Sequence, residues 1–93
     1  MEISFDPAKN DRNIRKRGLS FDRAADFDFE TASYSFDKRR EYGEDRIVAL
    51  GFLDGRLHVM CFVETENGIR VISFRRANFR EVKKYEERKT LDK

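Results

Sequence analysis

The sequence contains no tryptophan and only one cysteine, one proline and one histidine in 93 residues. The lone Cys61 excludes an internal disulfide and fits a reducing compartment. His58 and Cys61 stand three residues apart in what reads as a strand, so they face opposite ways and cannot share a metal ion. There is no glycine-rich phosphate loop and no serine elbow, so neither a metal nor a cofactor is expected. No apolar run approaches the ~18 residues of a membrane-spanning helix, and the first residues lack the apolar stretch of a secretory signal. The expected location is the cytoplasm.

What the chain does have is phenylalanine and charge. Nine Phe and three Tyr supply much of the apolar mass, while 41% of the residues are charged, against a norm of about 25%. A single domain over residues 1–93 with that composition has a thin core and a mostly charged exterior. The net charge of +2 is unevenly laid out. Residues 1–20 hold five Lys/Arg against three Asp/Glu, residues 21–45 four against eight, and residues 46–93 eleven against seven. If the basic ends converge, they form a positive surface suited to phosphate or to an acidic partner; otherwise they make a mixed, solvated exterior.

Ile3 and Phe5 alternate with polar residues and suggest a short strand. Asp6-Pro7 then opens a basic helix that ends near Arg17 at Gly18. Ser20 caps a second helix with Phe21, Ala24 and Ala25 on one side, and 29–36 alternates loosely as a strand. Residues 37–45 read as an exposed loop. The strongest signal follows: strand-like runs at 46–53, 56–65 and 69–74, separated by Asp54-Gly55 and Asn67-Gly68. Both pairs suit tight hairpin turns in which the two central residues take positive φ. The result is an antiparallel meander, with Leu57, Val59, Cys61 and Val63 on one face and His58, Met60 and Phe62 on the other. Asn78 with Glu81 forms a capping box for a basic C-terminal helix, whose buried side would be Phe79, Val82 and Tyr85.

Cations gather at strand ends. The meander places Arg75-Arg76 near the Asp54-Gly55 turn, and Arg46 with Arg70 towards the opposite end. Guanidinium groups match phosphate oxygens and can stabilise the charge on a phosphodiester under attack. They serve equally well to pair with carboxylates on a soluble sheet. His58 carries the imidazole suited to moving protons near neutral pH, though a lone His between apolar residues also packs.

Four stretches, FDPAKNDRNIRKRGLSF at 5–21, GEDRIVALG at 43–51, GRLHVMCFVE at 55–64 and IRVISFRRANFREVKKYE at 69–86, together resemble the BrnT toxins. These are the toxin half of BrnT–BrnA type II toxin–antitoxin pairs. The fold class expected is α+β: an antiparallel sheet, the meander plus one or two N-terminal strands, packed with two N-terminal helices and a C-terminal helix in the RelE-like manner. The resemblance implies a metal-independent ribonuclease that cleaves mRNA and arrests growth. It also implies a BrnA-like antitoxin partner, through which alone the pair reaches DNA. Matched positions include Lys9, Asn13, Lys16, Gly18, Glu44, Arg46, Arg56, Arg70, Ser73, Arg75, Arg76, Ala77, Glu81 and Tyr85. On that basis Arg70, Arg75 and Arg76 are the expected charge stabilisers, and Glu44 and His58 the candidate bases. Lys16 and Tyr85 are candidate proton donors, and Lys9, Lys16, Arg17, Arg46 and Tyr85 candidate RNA contacts. Relatives usually read Lys-His-Gly where Lys16-Arg17-Gly18 stands, and Ser-Ala-Arg where Ser73-Phe74-Arg75 stands. An arginine cannot act as a base at neutral pH, so if that histidine shuttles a proton, this chain must use another group. The alternative class is a non-catalytic basic module that only holds a partner.

Overall fold

The computed structural model describes residues 1–37 and 43–91. In chain order it contains β1 (Glu2–Phe5), α1 (Pro7–Arg17), a short 3-10 helix (Phe21–Asp26), β2 (Ser33–Asp37), β3 (Arg46–Leu53), β4 (Arg56–Glu64), β5 (Gly68–Arg76) and α2 (Phe79–Leu91). The segment expected as an exposed loop falls largely outside the described residues. Within it, Asp37 ends β2 and Gly43-Glu44-Asp45 lead into β3. No helix among the described residues is long and apolar enough to cross a membrane.

The five strands form one sheet in the order β1-β5-β4-β3-β2. β2 to β5 pair antiparallel, as the meander requires, but β1 runs parallel to β5, with Ile3 opposite Ile69 and Phe5 opposite Val71. The sheet is therefore mixed, not wholly antiparallel. The N-terminal region also supplies one α-helix and one 3-10 helix in place of two α-helices, so the RelE-like arrangement is not matched in these details. β1 and β5 are not joined by a hairpin, so no turn forces them antiparallel, and β1 adds at the free edge of β5 in the same direction.

The Asp54-Gly55 turn behaves as its sequence predicts, with φ of 53° and 77° at its two central residues. The Asn67-Gly68 pair does not. Thr65 N donates to Gly68 O at 2.9 Å, which centres the turn one residue earlier, on Glu66-Asn67, and neither takes positive φ. Glycine is needed at 68 for a different reason: a Cβ there would lie 1.9 Å from the carbonyl oxygen of Glu2 in the neighbouring β1. A bulge interrupts the β4–β5 ladder, where Cys61 pairs with Ser73 but Phe62 pairs with Val71.

One face of the sheet carries the main core. Ala49, Leu53, Met60, Phe62, Ile69, Val71 and Phe74 are buried there beneath Phe21, Ala24 and Phe27. Those last three are spaced by three, the repeat of a 3-10 helix, so Ala25 turns out to solvent although an α-helix would bring it in beside Phe21. Phe27 meets Phe74 edge-on at 5.9 Å between ring centres, and Phe5 meets Phe21 at 5.8 Å. Helix α1 buries only Asn10, as expected of a helix lying on the body of the protein.

On the other face, Tyr85 of α2 packs edge-on against Phe52 at 5.7 Å and donates its hydroxyl hydrogen to Thr31 O at 3.0 Å. Phe79, expected beside it, is instead 81% exposed. At about 100° per residue, Phe79 lies about 120° round the helix from Tyr85, while Glu81 lies within about 40°. The capping box is complete: Asn78 Oδ1 accepts from Glu81 N at 2.9 Å, and Glu81 Oε1 accepts from Asn78 N at 2.8 Å. The same carboxylate takes both arms of Arg75 at 2.8 and 2.9 Å, and this pairing holds the Glu81 carboxyl below its ordinary range.

Two outcomes are expected. Gly68→Ala should lower the unfolding midpoint and remove amide-exchange protection from residues 2–5 before the rest of the sheet. For Glu81 the folded value is depressed, so its stabilisation is complete above the ordinary value of 4.5 and is lost as pH falls below it. Glu81→Gln should therefore cost about 1 kcal/mol at neutral pH and flatten the acid limb of a denaturation profile between about pH 5 and 3.

Candidate functional site

The turn from β3 to β4 forms the rim of a cleft of about 570 Å³, lined by Arg17, Gly18, Leu19, Arg23, Leu53, Asp54, Arg56, His58 and Arg76. The alternation of β4 sets its floor. His58 belongs to the same row as Met60 and Phe62, and its cross-strand partner on β5 is Arg76. The imidazole is 6% exposed and lies edge-on to Phe74 with ring centres 5.6 Å apart. Its Nδ1 is 2.8 Å from the carbonyl oxygen of Arg56. A carbonyl only accepts, so Nδ1 carries the hydrogen and the neutral ring keeps its lone pair on Nε2. Nε2 makes no hydrogen bond among the described residues, and His58 is one of the residues lining the cleft.

Two asparagines bring the helical wall to this floor. Asn10 Oδ1 accepts from Phe21 N at 2.8 Å, closing the α1-to-3-10 connection. Asn13 Nδ2 donates to Leu19 O and to Phe74 O, both at 2.9 Å, tying that connection to β5. Asn13 Oδ1 in turn accepts from Arg17 Nε at 3.1 Å, which fixes the arginine at the mouth of the cleft. Opposite, Arg23 grips both carboxylate oxygens of Asp54 at 2.8 and 2.9 Å and reaches Asp26 at 3.0 Å. Its guanidinium is held above its ordinary value, chiefly by Asp54. The group is solvent-exposed, so the contact fixes geometry more than it adds stability.

The cleft is thus lined by the guanidinium groups of Arg17, Arg23, Arg56 and Arg76 against the single carboxylate of Asp54. Among the described residues no carboxylate pairs with Arg17, Arg56 or Arg76. Of the residues expected from the sequence, the cleft gathers His58, Arg76 and Arg17. Arg75 is directed to the opposite face, onto Glu81. Arg70 and Arg46 close on Glu44 at 2.6 and 3.3 Å, and Arg70 foremost holds that carboxyl below its ordinary range. That cluster sits beside Val63, five residues along β4 from His58, about 17 Å away. Tyr85 is buried beneath α2, and Lys9 and Lys16 are exposed on α1.

Sequence reasoning missed Arg23 altogether and reached Arg56 through the resemblance, which makes the charged matched positions candidates for RNA phosphate contact or for chemistry. No local signal marks Arg23, which enters the cleft only because the 3-10 helix packs across the β3–β4 turn. A second, apolar groove of about 480 Å³ lies at the other end of the core face, between Met1, Phe29, Tyr34, Phe36, Ile47, Phe62 and Ile69. Among the described residues no group of three or more His, Cys, Asp or Glu is placed to hold a metal ion.

Residues 5–81 match the profile of a family described as ribonuclease toxin, BrnT, of type II toxin–antitoxin system. No curated protein matches the chain.

Asn13→Ala should leave two carbonyls without their donor and cost about 1–3 kcal/mol in urea denaturation. Asn13→Asp, which retains the acceptor for Arg17 but not the donors, should be similarly destabilised.

Proposed function

The chain belongs to the BrnT family of ribonuclease toxins of type II toxin–antitoxin systems, and from that premise we propose that it cleaves mRNA in the cytoplasm at the cleft around His58, without a metal ion. Its partner is a BrnA-like antitoxin, which carries DNA binding for the pair. The observation that carries this reading is the imidazole of His58, its Nε2 without a hydrogen bond, in a cleft where among the described residues no carboxylate pairs with Arg17, Arg56 or Arg76. Arg17 stands where the resemblance leads one to expect a histidine, and it lines the same cleft. The proton carrier therefore approaches from the strand side instead of the helix side.

In this mechanism His58 Nε2 takes the proton of a ribose 2′-hydroxyl, and the 2′-oxygen forms a bond to the adjacent phosphorus. Arg76 and Arg17 bind the non-bridging oxygens and stabilise the added negative charge of the phosphorane. The P–O5′ bond then breaks, leaving a 2′,3′-cyclic phosphate. The departing 5′-oxygen takes a proton from water entering the open cleft, and the imidazolium returns its own to solvent. Arg56 extends the cationic track along the strand, and Arg23 keeps the Asp54 turn in place. Glu44 and Arg70 lie outside this arrangement, so their pairing has a structural role.

Purified toxin, freed of antitoxin, tests the reading on single-stranded RNA. His58→Ala should reduce cleavage by about 10²–10⁴-fold and Arg76→Ala by about 10²-fold, with circular dichroism confirming that both variants fold. Arg70→Ala should cleave near the wild-type rate. Intact RNA after incubation with the wild-type protein would sink the ribonuclease assignment for this copy. Full activity in His58→Ala would move the chemistry elsewhere.

A further inference from the structure

Phe79 is the most exposed of the large apolar side chains among the described residues, at 81%, yet hydrogen bonds tie down the backbone on either side of it. It is the first residue of α2, bracketed by the reciprocal bonds between Asn78 and Glu81 and by the double grip of Glu81 on Arg75. Just before it, Ala77 N donates to Leu57 O at 2.9 Å, anchoring the chain to the cleft end of the sheet. Arg76, on the floor of the cleft, is only three residues away, a span of at most about 10 Å, which equals the rise of about three stacked nucleotides. The backbone that carries the ring is therefore held within about 10 Å of Arg76, and the ring itself is left exposed.

The surroundings of the ring indicate what it meets. Arg76, Asn78 and Arg80 flank it in sequence, and Lys83 lies one helical turn on, on the same side. A protein-binding surface centres on contiguous apolar area, which this chain has in Met1, Tyr34 and Phe36 at the far end of the sheet. A single aromatic ring among cations suits single-stranded nucleic acid better, because a base can stack on the ring while the cations follow the phosphates.

We infer that Phe79 is a stacking platform for a base neighbouring the cleaved phosphate, an inference that rests on the ribonuclease reading above. The platform holds the strand by a flat face common to all bases, so it sets affinity and register without selecting one base. It touches substrate but no reacting atom.

The lack of tryptophan makes the test direct. Phe79→Trp places a single indole at the position, and its fluorescence should be quenched on titration with a single-stranded RNA oligonucleotide blocked by 2′-O-methyl groups. Phe79→Ala should bind that oligonucleotide and cleave its unblocked form about 5- to 150-fold less well, mainly through KM. Phe79→Tyr should restore both. The unfolding midpoint of Phe79→Ala should not move, since the ring buries almost nothing. Unchanged affinity and cleavage in Phe79→Ala, with the wild type active, would overturn the platform and assign the ring to a protein contact. Absence of both RNA binding and cleavage in the wild type would overturn the ribonuclease reading, and the platform with it.

Discussion

Burial of both faces of one strand is the constraint from which the rest of the structure takes its place. Leu57 to Phe62 on β4 are all buried, with Met60 and Phe62 under the 3-10 segment and Leu57 and Val59 on the α2 side. A chain of 93 residues in which 41% are charged cannot repeat that on five strands. The edge strands β1 and β2 remain largely exposed, and the polar groups are driven to the strand ends. His58 sits where the two regimes meet. Its row along β4 belongs to the core, but in that row only Arg56 separates it from the turn, so its Nδ1 is bonded to the Arg56 carbonyl while the ring lines the cleft.

Which arginines are available for a ligand is decided by where the carboxylates are. Glu81 comes within reach of Arg75 because it closes the capping box of α2, and Glu44 leads into β3 beside Arg70. Each of these acids removes a cation from the pool that could bind phosphate. Among the described residues the acids at the cleft end, Asp54 and Asp26, are both committed to Arg23. Glu44, from the acidic middle of the sequence, thus takes up cations at one end of the sheet, while at the other Arg17, Arg56 and Arg76 have no carboxylate partner among the described residues.

Local chemistry made much of the fold legible. Asp6-Pro7, Gly18, Asp54-Gly55 and the Asn78–Glu81 box each act over a few residues, and each does in the structure what its type requires. Errors arose where a distant segment decides the outcome. Gly68 serves the approach of β1 from the other end of the chain, although its sequence context reads as a turn. Ala25 faces solvent although nothing local distinguishes a 3-10 helix from an α-helix. Phe79 is exposed although its spacing from Val82 and Tyr85 fits a helical stripe. The cleft was legible as cations at strand ends with one imidazole, but the sorting of Arg70 and Arg75 away from Arg76 depends on tertiary pairing.

The bulge opposite Cys61 has an effect well beyond its own hydrogen bonds. Up to Val71 the odd-numbered residues of β5 face the main core, and beyond it Phe74 and Arg76, the even-numbered ones, take over. In an unbulged strand the core row would continue through Ser73 and Arg75. Arg75 would then stand beside the imidazole, while Arg76 turned towards the helix and Glu81. Two adjacent and chemically identical side chains are thus assigned opposite duties by one extra backbone unit. Deleting Ile72 would abolish the bulge and yet leave Phe74 opposite Met60 and Arg76 opposite His58, so the duties of the two arginines follow from the register that the bulge restores and not from the side chains themselves.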